Sequence, residues 1–185
     1  MLSLTSSKVI NFLFYQIGWF CCVLGAAKGY PISGSLVALV LLGIHLWLAE
    51  SRQAEAKLML YACLFGVLID SFQQALGILT FKSDPYWPLW LPLWILVVWA
   101  QFATLFHYAL YWLSQRYLLG ALFGFIGGPL AYWGGVRLGA ASFGDNLFFS
   151  LSSLALVWAL VTPLLLWLSS RLDPHEGRYR KFFRT

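Results

Sequence analysis

The stretch from 118 to 136, "LLGALFGFIGGPLAYWGGV", contains no charged residue and is nearly twenty residues long. An α-helix of about 20 apolar residues crosses the hydrocarbon core of a bilayer, which is about 30 Å thick. Similar runs fill most of the chain, so that 61% of its 185 residues are hydrophobic and 10% are charged. Soluble domains contain roughly 25% charged residues. The sequence therefore predicts a membrane protein.

Six apolar runs predict an all-α bundle of six transmembrane helices joined by short loops. The spans are expected near 9–27, 30–49, 58–81, 88–114, 118–136 and 147–169. They form one transmembrane domain over residues 1–170, followed by a basic tail over 171–185. The first run, at about 18 residues, is longer than the apolar part of a signal peptide, so we expect it to be retained as a span.

The basic residues predict the orientation of the bundle. With six spans, both termini and the loops at 50–57 and 114–116 share one side. That side holds nine basic residues, which are Lys8, Arg52, Lys57, Arg116, Arg171, Arg178, Arg180, Lys181 and Arg184, whereas the other side holds three, Lys28, Lys82 and Arg137. Since cytoplasmic loops carry the excess of lysine and arginine, both termini are predicted to be cytoplasmic.

Small residues recur every four positions along the fifth span, in two adjoining rows. The first row is Gly120, Gly124 and Gly128, and the second is Gly127, Ala131, Gly135 and Gly139. Rows of this kind let helix backbones approach closely. We therefore expect the fifth helix to be the central one, with a kink at Pro129, which removes a backbone hydrogen bond.

A first layer of polar residues is expected in the cytoplasmic half of the bundle. It comprises Asn11 and Gln16 on the first span, His45 on the second and His107 on the fourth, with Glu50 at the end of the second span. Histidine changes charge near neutral pH, so two histidines beside a carboxylate form a candidate proton-transfer group. The alternative is a structural role, because histidines also hydrogen-bond between membrane helices.

A second polar layer is expected in the outer half, on the third span. Asp70, Gln73 and Gln74 share a helical face with Gly66 and Gly77. An aspartate in mid-membrane costs about 3 kcal/mol on insertion scales, so this face must contact protein or water. Arg137, at the outer end of the fifth span, is the expected partner of Asp70. The layer is either a functional site for a proton or polar group, or a buried structural pair.

Aromatic residues are expected to anchor the outer side. The connection at 82–94 carries three prolines together with Trp87, Trp90 and Trp94, and it is expected to lie in the outer interface. Tyr132 and Trp133 belong to the same predicted belt. Asn146 is expected to cap the sixth span.

Several function classes find no support in the sequence. The basic residues lie at span ends and form no stripe with aromatic residues, so nucleic acid is not an expected partner. Cys21, Cys22 and Cys63 form no Cys-x-x-Cys pair, and no phosphate-binding loop, GxSxG or HExxH motif occurs. We identify no catalytic residue, expect no metal site and no cofactor, and consider an enzyme the least favoured class.

Four segments carry a resemblance over nearly the whole length. They are "NFLFYQIGWF" at 11–20, "GVLIDS" at 66–71, "PLWLPLWILVVWAQFATLFHYAL" at 88–110 and "GGPLAYWGGVRLGA" at 127–140. In these the chain resembles a family of small bacterial inner-membrane proteins known only as a domain of unknown function. The resemblance implies a bacterial inner-membrane location. The genes that accompany such proteins imply a connection with fatty-acyl modification of the cyclopropane type and with oxidative stress.

Two functions of different classes follow from these features. The first is a lipid-associated accessory protein that contacts membrane lipids and acts with a lipid-modifying enzyme. The alternative is a small secondary transporter whose polar route includes Asp70, Arg137 and His107, since alternating access needs polar groups within the membrane. The most informative structural observation is whether a lipid-sized cavity opens between the spans beside Asp70.

Overall fold

The computed structural model describes residues 4–85 and 87–172, in which six α-helices predominate. The helices are α1 (Leu4–Ala27), α2 (Pro31–Leu48), α3 (Arg52–Ala75), α4 (Leu93–Thr104), α5 (Tyr117–Leu138) and α6 (Leu147–Leu172). Five of them, all except α4, are long and apolar enough to cross a membrane. The protein is therefore a helical, multi-pass membrane protein, as predicted. Of the predicted basic tail, residues 173–185 lie outside the described part of the chain.

The bundle has two ends, which we name by what lies there. At the terminal face, α1 begins and α6 ends, since Asn11 contacts Thr104 and the imidazole of His107 contacts the backbone of Ser169. At the sheet face, the Lys82 ammonium donates to the Ala27 carbonyl at the end of α1, 3.0 Å away. The two termini of the described chain thus lie on the same side of the bundle.

The buried centre of the bundle is α4, and the prediction that the glycine-rich fifth helix would be central is wrong. Nine of the twelve residues of α4 are buried, compared with four of the twenty-two in α5. Because α4 carries no charged side chain on any face, it can be surrounded by other helices. The small residues of α5 produce close contact on one face only.

The helix α4 is shorter than the predicted span at 88–114. It begins after Pro92, which cannot continue a helical hydrogen-bond ladder, and it ends at Thr104. The last carbonyls of a helix lack intrahelical partners. Asn11 supplies one: its Nδ2 donates to the Thr104 carbonyl at 3.1 Å, and its Oδ1 accepts from the Ala109 amide at 3.3 Å. The side chain of Asn11, on α1, therefore stabilises the C-terminal end of α4.

Helices α5 and α6 meet along the first predicted glycine row. A Cβ atom on Gly120 would overlap Leu166, and one on Gly124 would overlap the carbonyl of Trp158. A Cβ on Gly128 would overlap the Trp158 ring. The first row is thus a close-packing contact, as predicted, whereas a Cβ on Gly127 or Gly135 of the second row would meet no atom closer than 3.9 Å.

A two-stranded antiparallel sheet at the sheet face was not predicted. Strands β1 (Leu79–Phe81) and β2 (Ala141–Phe143) pair with Leu79 opposite Phe143. Each strand follows a glycine with positive φ, Gly77 and Gly139, which turns the chain sharply at the end of a helix. The sheet thereby joins the connections that follow α3 and α5.

Two further expectations for this end of the bundle can be compared with the structure. The predicted cap of α6 is confirmed, because Oδ1 of Asn146 accepts from the Phe149 amide at 3.0 Å. Trp94 differs from its expected place in the interface: it is 4% exposed and its indole donates to the Lys82 carbonyl at 2.8 Å. Trp90 remains exposed.

A methyl group at the α5–α6 contact tests this packing. We expect Gly124→Ala to destabilise the protein by about 1–3 kcal/mol, because backbone atoms of α6 would have to move. Gly43→Ala is the matched control, since a Cβ on Gly43 has open space. Thermal unfolding in detergent measures both variants, and equal stability of the two would contradict the close contact.

Candidate functional site

The first polar site is a cluster around the buried carboxylate of Glu55, which lies in the first turn of α3. Its Oε2 is 2.8 Å from Nε2 of His45 on α2, and its Oε1 is 2.5 Å from Nδ1 of His107, which follows α4. The other ring nitrogen of His107 lies 3.0 Å from the carbonyl of Ser169 on α6. The cluster therefore connects four segments of the chain near the terminal face.

The hydrogen bonds of the cluster constrain its protons. A carbonyl only accepts, so Nε2 of His107 carries a proton and donates it to Ser169. The contact between Nδ1 of His107 and Oε1 of Glu55 then requires a second proton, located on one of these two atoms. His45 donates through Nε2 to the other oxygen. Among the described residues, no group of three or more His, Cys, Asp and Glu is arranged to hold a metal ion.

The sequence identified the two histidines but not their carboxylate. Glu50 was the expected carboxylate, whereas the structure uses Glu55, which was assigned to a loop. The missed signal is Ser51, whose hydroxyl caps α3 by accepting from the Ala54 amide at 3.4 Å. A helix that begins there places Glu55 on the same buried face as Asp70.

The two polar residues of α1 have different environments. Asn11 is 3% exposed, and its amide hydrogen-bonds to the backbone at Thr104 and Ala109. Its role is therefore to stabilise the end of α4. Gln16 is partly buried and makes no hydrogen bond with the residues that the structure describes. Neither side chain contacts the Glu55 cluster.

The second polar site surrounds Asp70, which is completely buried on α3. The indole N–H of Trp99 donates to Oδ2 of Asp70 at 2.7 Å, and the hydroxyl of Tyr132 donates to Oδ1 at 2.6 Å. Each carboxylate oxygen thus has one donor from a neighbouring helix. This differs from the predicted partner, because Arg137 is exposed and makes no ion pair with Asp70.

Helix geometry explains this difference. Arg137 follows Tyr132 by five residues, which at 3.6 residues per turn turns it about 140° around α5. When Tyr132 faces Asp70, Arg137 cannot. Tyr132 was expected in the interfacial belt, but its hydroxyl lies inside the bundle. Trp133, one position further, is exposed.

The two glutamines predicted near Asp70 lie in different environments. Gln73 is 1% exposed, and its amide atoms have no hydrogen-bond partner among the described residues. Gln74 is partly buried, and its amide lies 3.4 Å from the carbonyl of Trp90. The shared polar face therefore extends from Glu55 to Gln73 but does not include Gln74.

A cavity of about 350 Å³ lies beside Asp70, between α1 and α5, with α4 as its floor. From α1 it is lined by Phe12, Tyr15, Trp19 and Val23. From α5 its small lining residues are Gly124, Gly127, Gly128, Ala131 and Gly135, so both small-residue rows reach it. Asp70, Tyr132 and Trp99 form part of its wall, together with Trp158 and Thr162 of α6. Gly127 and Gly135 of the second row leave the open space, and Gly124 and Gly128 border it beside their contact with α6.

Comparison with known proteins places the chain in a family. A family model described as a protein of unknown function, DUF2878, matches residues 8–164. The chain belongs to this family. No curated protein and no solved structure matches it. The DUF2878 region includes His45, Glu55, His107, Asp70 and the cavity, whereas Ser169 lies beyond it.

Substitutions at Glu55 test whether the cluster depends on hydrogen bonds. In Glu55→Gln the amide can donate to His107 and accept from His45, so we expect stability close to that of the native protein. Glu55→Ala removes the carboxylate that contacts the ring nitrogens of His45 and His107, which costs roughly 1–3 kcal/mol for each group. Thermal unfolding in detergent compares them. If Glu55→Gln lowers the stability as much as Glu55→Ala does, the cluster depends on the negative charge of Glu55 and not on its hydrogen bonds alone.

Substitutions at Asp70 test the second site in the same way. Asp70→Leu leaves the Trp99 and Tyr132 donors unpaired, and we expect a loss of roughly 1–3 kcal/mol for each. Asp70→Asn keeps an acceptor for Trp99 and should lose much less. Asp145→Leu, at an exposed position, is the control for removing a carboxylate. Equal stability of Asp70→Leu and Asp145→Leu would contradict the role assigned to Asp70.

Proposed function

We propose that this protein binds the apolar chain of a membrane lipid in the cavity beside Asp70. It acts as an accessory protein to an enzyme that modifies fatty-acyl chains, in the bacterial inner membrane and in connection with stress. The single observation that carries the proposal is a cavity of about 350 Å³ between α1 and α5 with a mainly apolar lining.

The size and lining of the cavity favour a slender apolar ligand. A volume of about 350 Å³ lies at the lower end of the roughly 300–1,000 Å³ of small-molecule sites. Its walls are formed by aromatic and aliphatic side chains together with glycines of α5. Because lining residues come from near both faces, from Trp94 to Trp112, the cavity is elongated along the helices.

The two ends of the cavity differ. At the sheet face, Phe81 of β1 packs across Trp94 and Tyr132, with ring centroids 5.8 Å and 6.3 Å apart. At the other end the lining includes Phe12, Trp112 and Phe123, which are 48%, 50% and 37% exposed. On a membrane protein such exposed rings face lipid. An acyl chain from the surrounding leaflet would enter there and end beneath the sheet.

The transporter hypothesis has less support from the same geometry. Glu55 and Asp70 are fifteen residues apart on α3, which corresponds to about 22 Å. Apolar rings and glycines line the cavity near Asp70, and Arg137 is exposed on another face of α5. Among the described residues, these polar groups therefore do not form a continuous route.

Filling the cavity tests the proposal. Leucine at Gly127 or Gly135 would enter the open space, whereas Gly43→Leu adds the same side chain on a helix surface away from it. In liposomes, the probe is phosphatidylethanolamine with a photoreactive diazirine near the end of one acyl chain. Because the chain would end beneath the sheet, we expect crosslinks to peptides containing Phe81 and Tyr132, reduced several-fold in Gly127→Leu and Gly135→Leu but not in Gly43→Leu.

The accessory role has its own test in cells. We expect a strain without the gene to show altered fatty-acyl composition under oxidant stress, restored by the native protein and by Gly43→Leu but not by Gly127→Leu. Unchanged composition in the deletion strain would contradict the accessory role. Absence of crosslinks inside the cavity would contradict lipid binding itself.

A further inference from the structure

Two polar groups in the cavity wall have no hydrogen bond of ordinary geometry with any described residue, although one of them, the Trp158 indole N–H, lies beside the Tyr132 hydroxyl. They are the hydroxyl of Thr162, a residue with no exposed surface, and the indole N–H of Trp158, which is 8% exposed. These residues are four positions apart on α6 and therefore share one helical face. Buried polar atoms without partners are uncommon, because each costs about 1–3 kcal/mol.

The surrounding contacts hold the Trp158 indole in place. It stacks on Trp99 with ring centroids 4.8 Å apart and an interplanar angle of 15°, and the edge of Phe102 packs against it. The Trp99 ring is in turn fixed by its hydrogen bond to Asp70. The N–H of Trp158 is thus a positioned donor, and an indole N–H can only donate.

Charge limits what can accept these donors. The lining of the cavity contains the carboxylate of Asp70 and, in the part of the chain that the structure describes, no lysine, arginine or histidine. An anionic group placed there would lie near a carboxylate with no cation to balance it. The complementary group is therefore a neutral oxygen.

Depth separates this oxygen from the ester groups of a phospholipid. Thr162 and Trp158 lie near the middle of α6, a 26-residue helix. The middle of the hydrocarbon core is about 15 Å from either interface, where the ester carbonyls lie. An oxygen at Thr162 must therefore belong to the chain of the lipid rather than to its headgroup.

We propose that the cavity selects an oxygenated lipid chain, one that carries a hydroxyl or carbonyl oxygen along its length and places it against Thr162 and Trp158. This inference rests on the proposed function, since it names the ligand class of the same cavity. The apolar walls hold the chain, and the two polar groups of α6 bind its oxygen.

Binding of matched neutral chains to the full-length protein in nanodiscs tests the inference. The probes are methyl stearate, methyl esters of stearic acid with one hydroxyl at successive positions along the chain, and the corresponding oxo esters. We expect all to bind, and at least one mid-chain hydroxy or oxo ester to bind about tenfold tighter than methyl stearate, as hydrogen bonds to buried groups allow.

Variants at Thr162 assign that preference to its hydroxyl. Thr162→Val has nearly the same shape, and we expect the affinity ratio between the preferred probe and methyl stearate to fall several-fold. Thr162→Ser keeps the hydroxyl and should keep most of the ratio. Thr80→Val, at an exposed position outside the cavity, is the control and should retain the native ratio.

The outcomes separate the inference from the proposed function. If methyl stearate and every oxygenated ester bind equally, or if Thr162→Val keeps the native ratio, the inference is wrong and chain binding stands. A water molecule satisfying Thr162 and Trp158 would give this result. If no probe binds the native protein, both are wrong.

Discussion

A buried carboxylate near the terminal face holds together parts of the chain that are distant in sequence. Glu55 lies in the first turn of α3, His45 lies in the last turn of α2, and His107 follows the end of α4. Through His107 the connection continues to Ser169, in the last turns of α6. Within a membrane, apolar side chains gain little by leaving lipid for protein, so polar contacts and close packing must define which helices are neighbours. The position of α4 at the centre depends on such contacts at its two ends.

The cavity arises from an asymmetry within one helix. The glycines of one row on α5 let α6 pack directly against the α5 backbone. The adjoining row lies opposite α1, and α1 does not fill the space beside Gly127 and Gly135. Trp19 approaches α5 at Gly134, towards the sheet face, which leaves the gap below open. The same residue type thus makes a tight contact on one side and an empty wall on the other. What differs is the partner helix.

Much of the fold followed from the sequence, because hydrophobic length and small-residue spacing are local signals. Apolar runs revealed the helices, and the row through Gly124 revealed a close helix contact. The partners of Asp70 were not predictable, since they depend on which face of α5 turns towards α3. Arg137 was the expected partner because of its charge, whereas Tyr132 was assigned to the interfacial aromatic belt. Glu55 was missed because a helix start was placed six residues late.

The placement of Asp70 explains why an aspartate is retained at such depth. A carboxylate there costs about 3 kcal/mol unless it is paired, and its two oxygens each accept a donor from a different helix. The ring of one donor, Trp99, stacks on the ring of Trp158. The ring of the other donor, Tyr132, contacts the ring of Phe81 at the closed end of the cavity. Asp70 therefore acts on the cavity through the rings that it orients. An oxygen bound at Trp158 would be held in a direction set by Asp70, which itself needs no contact with the ligand.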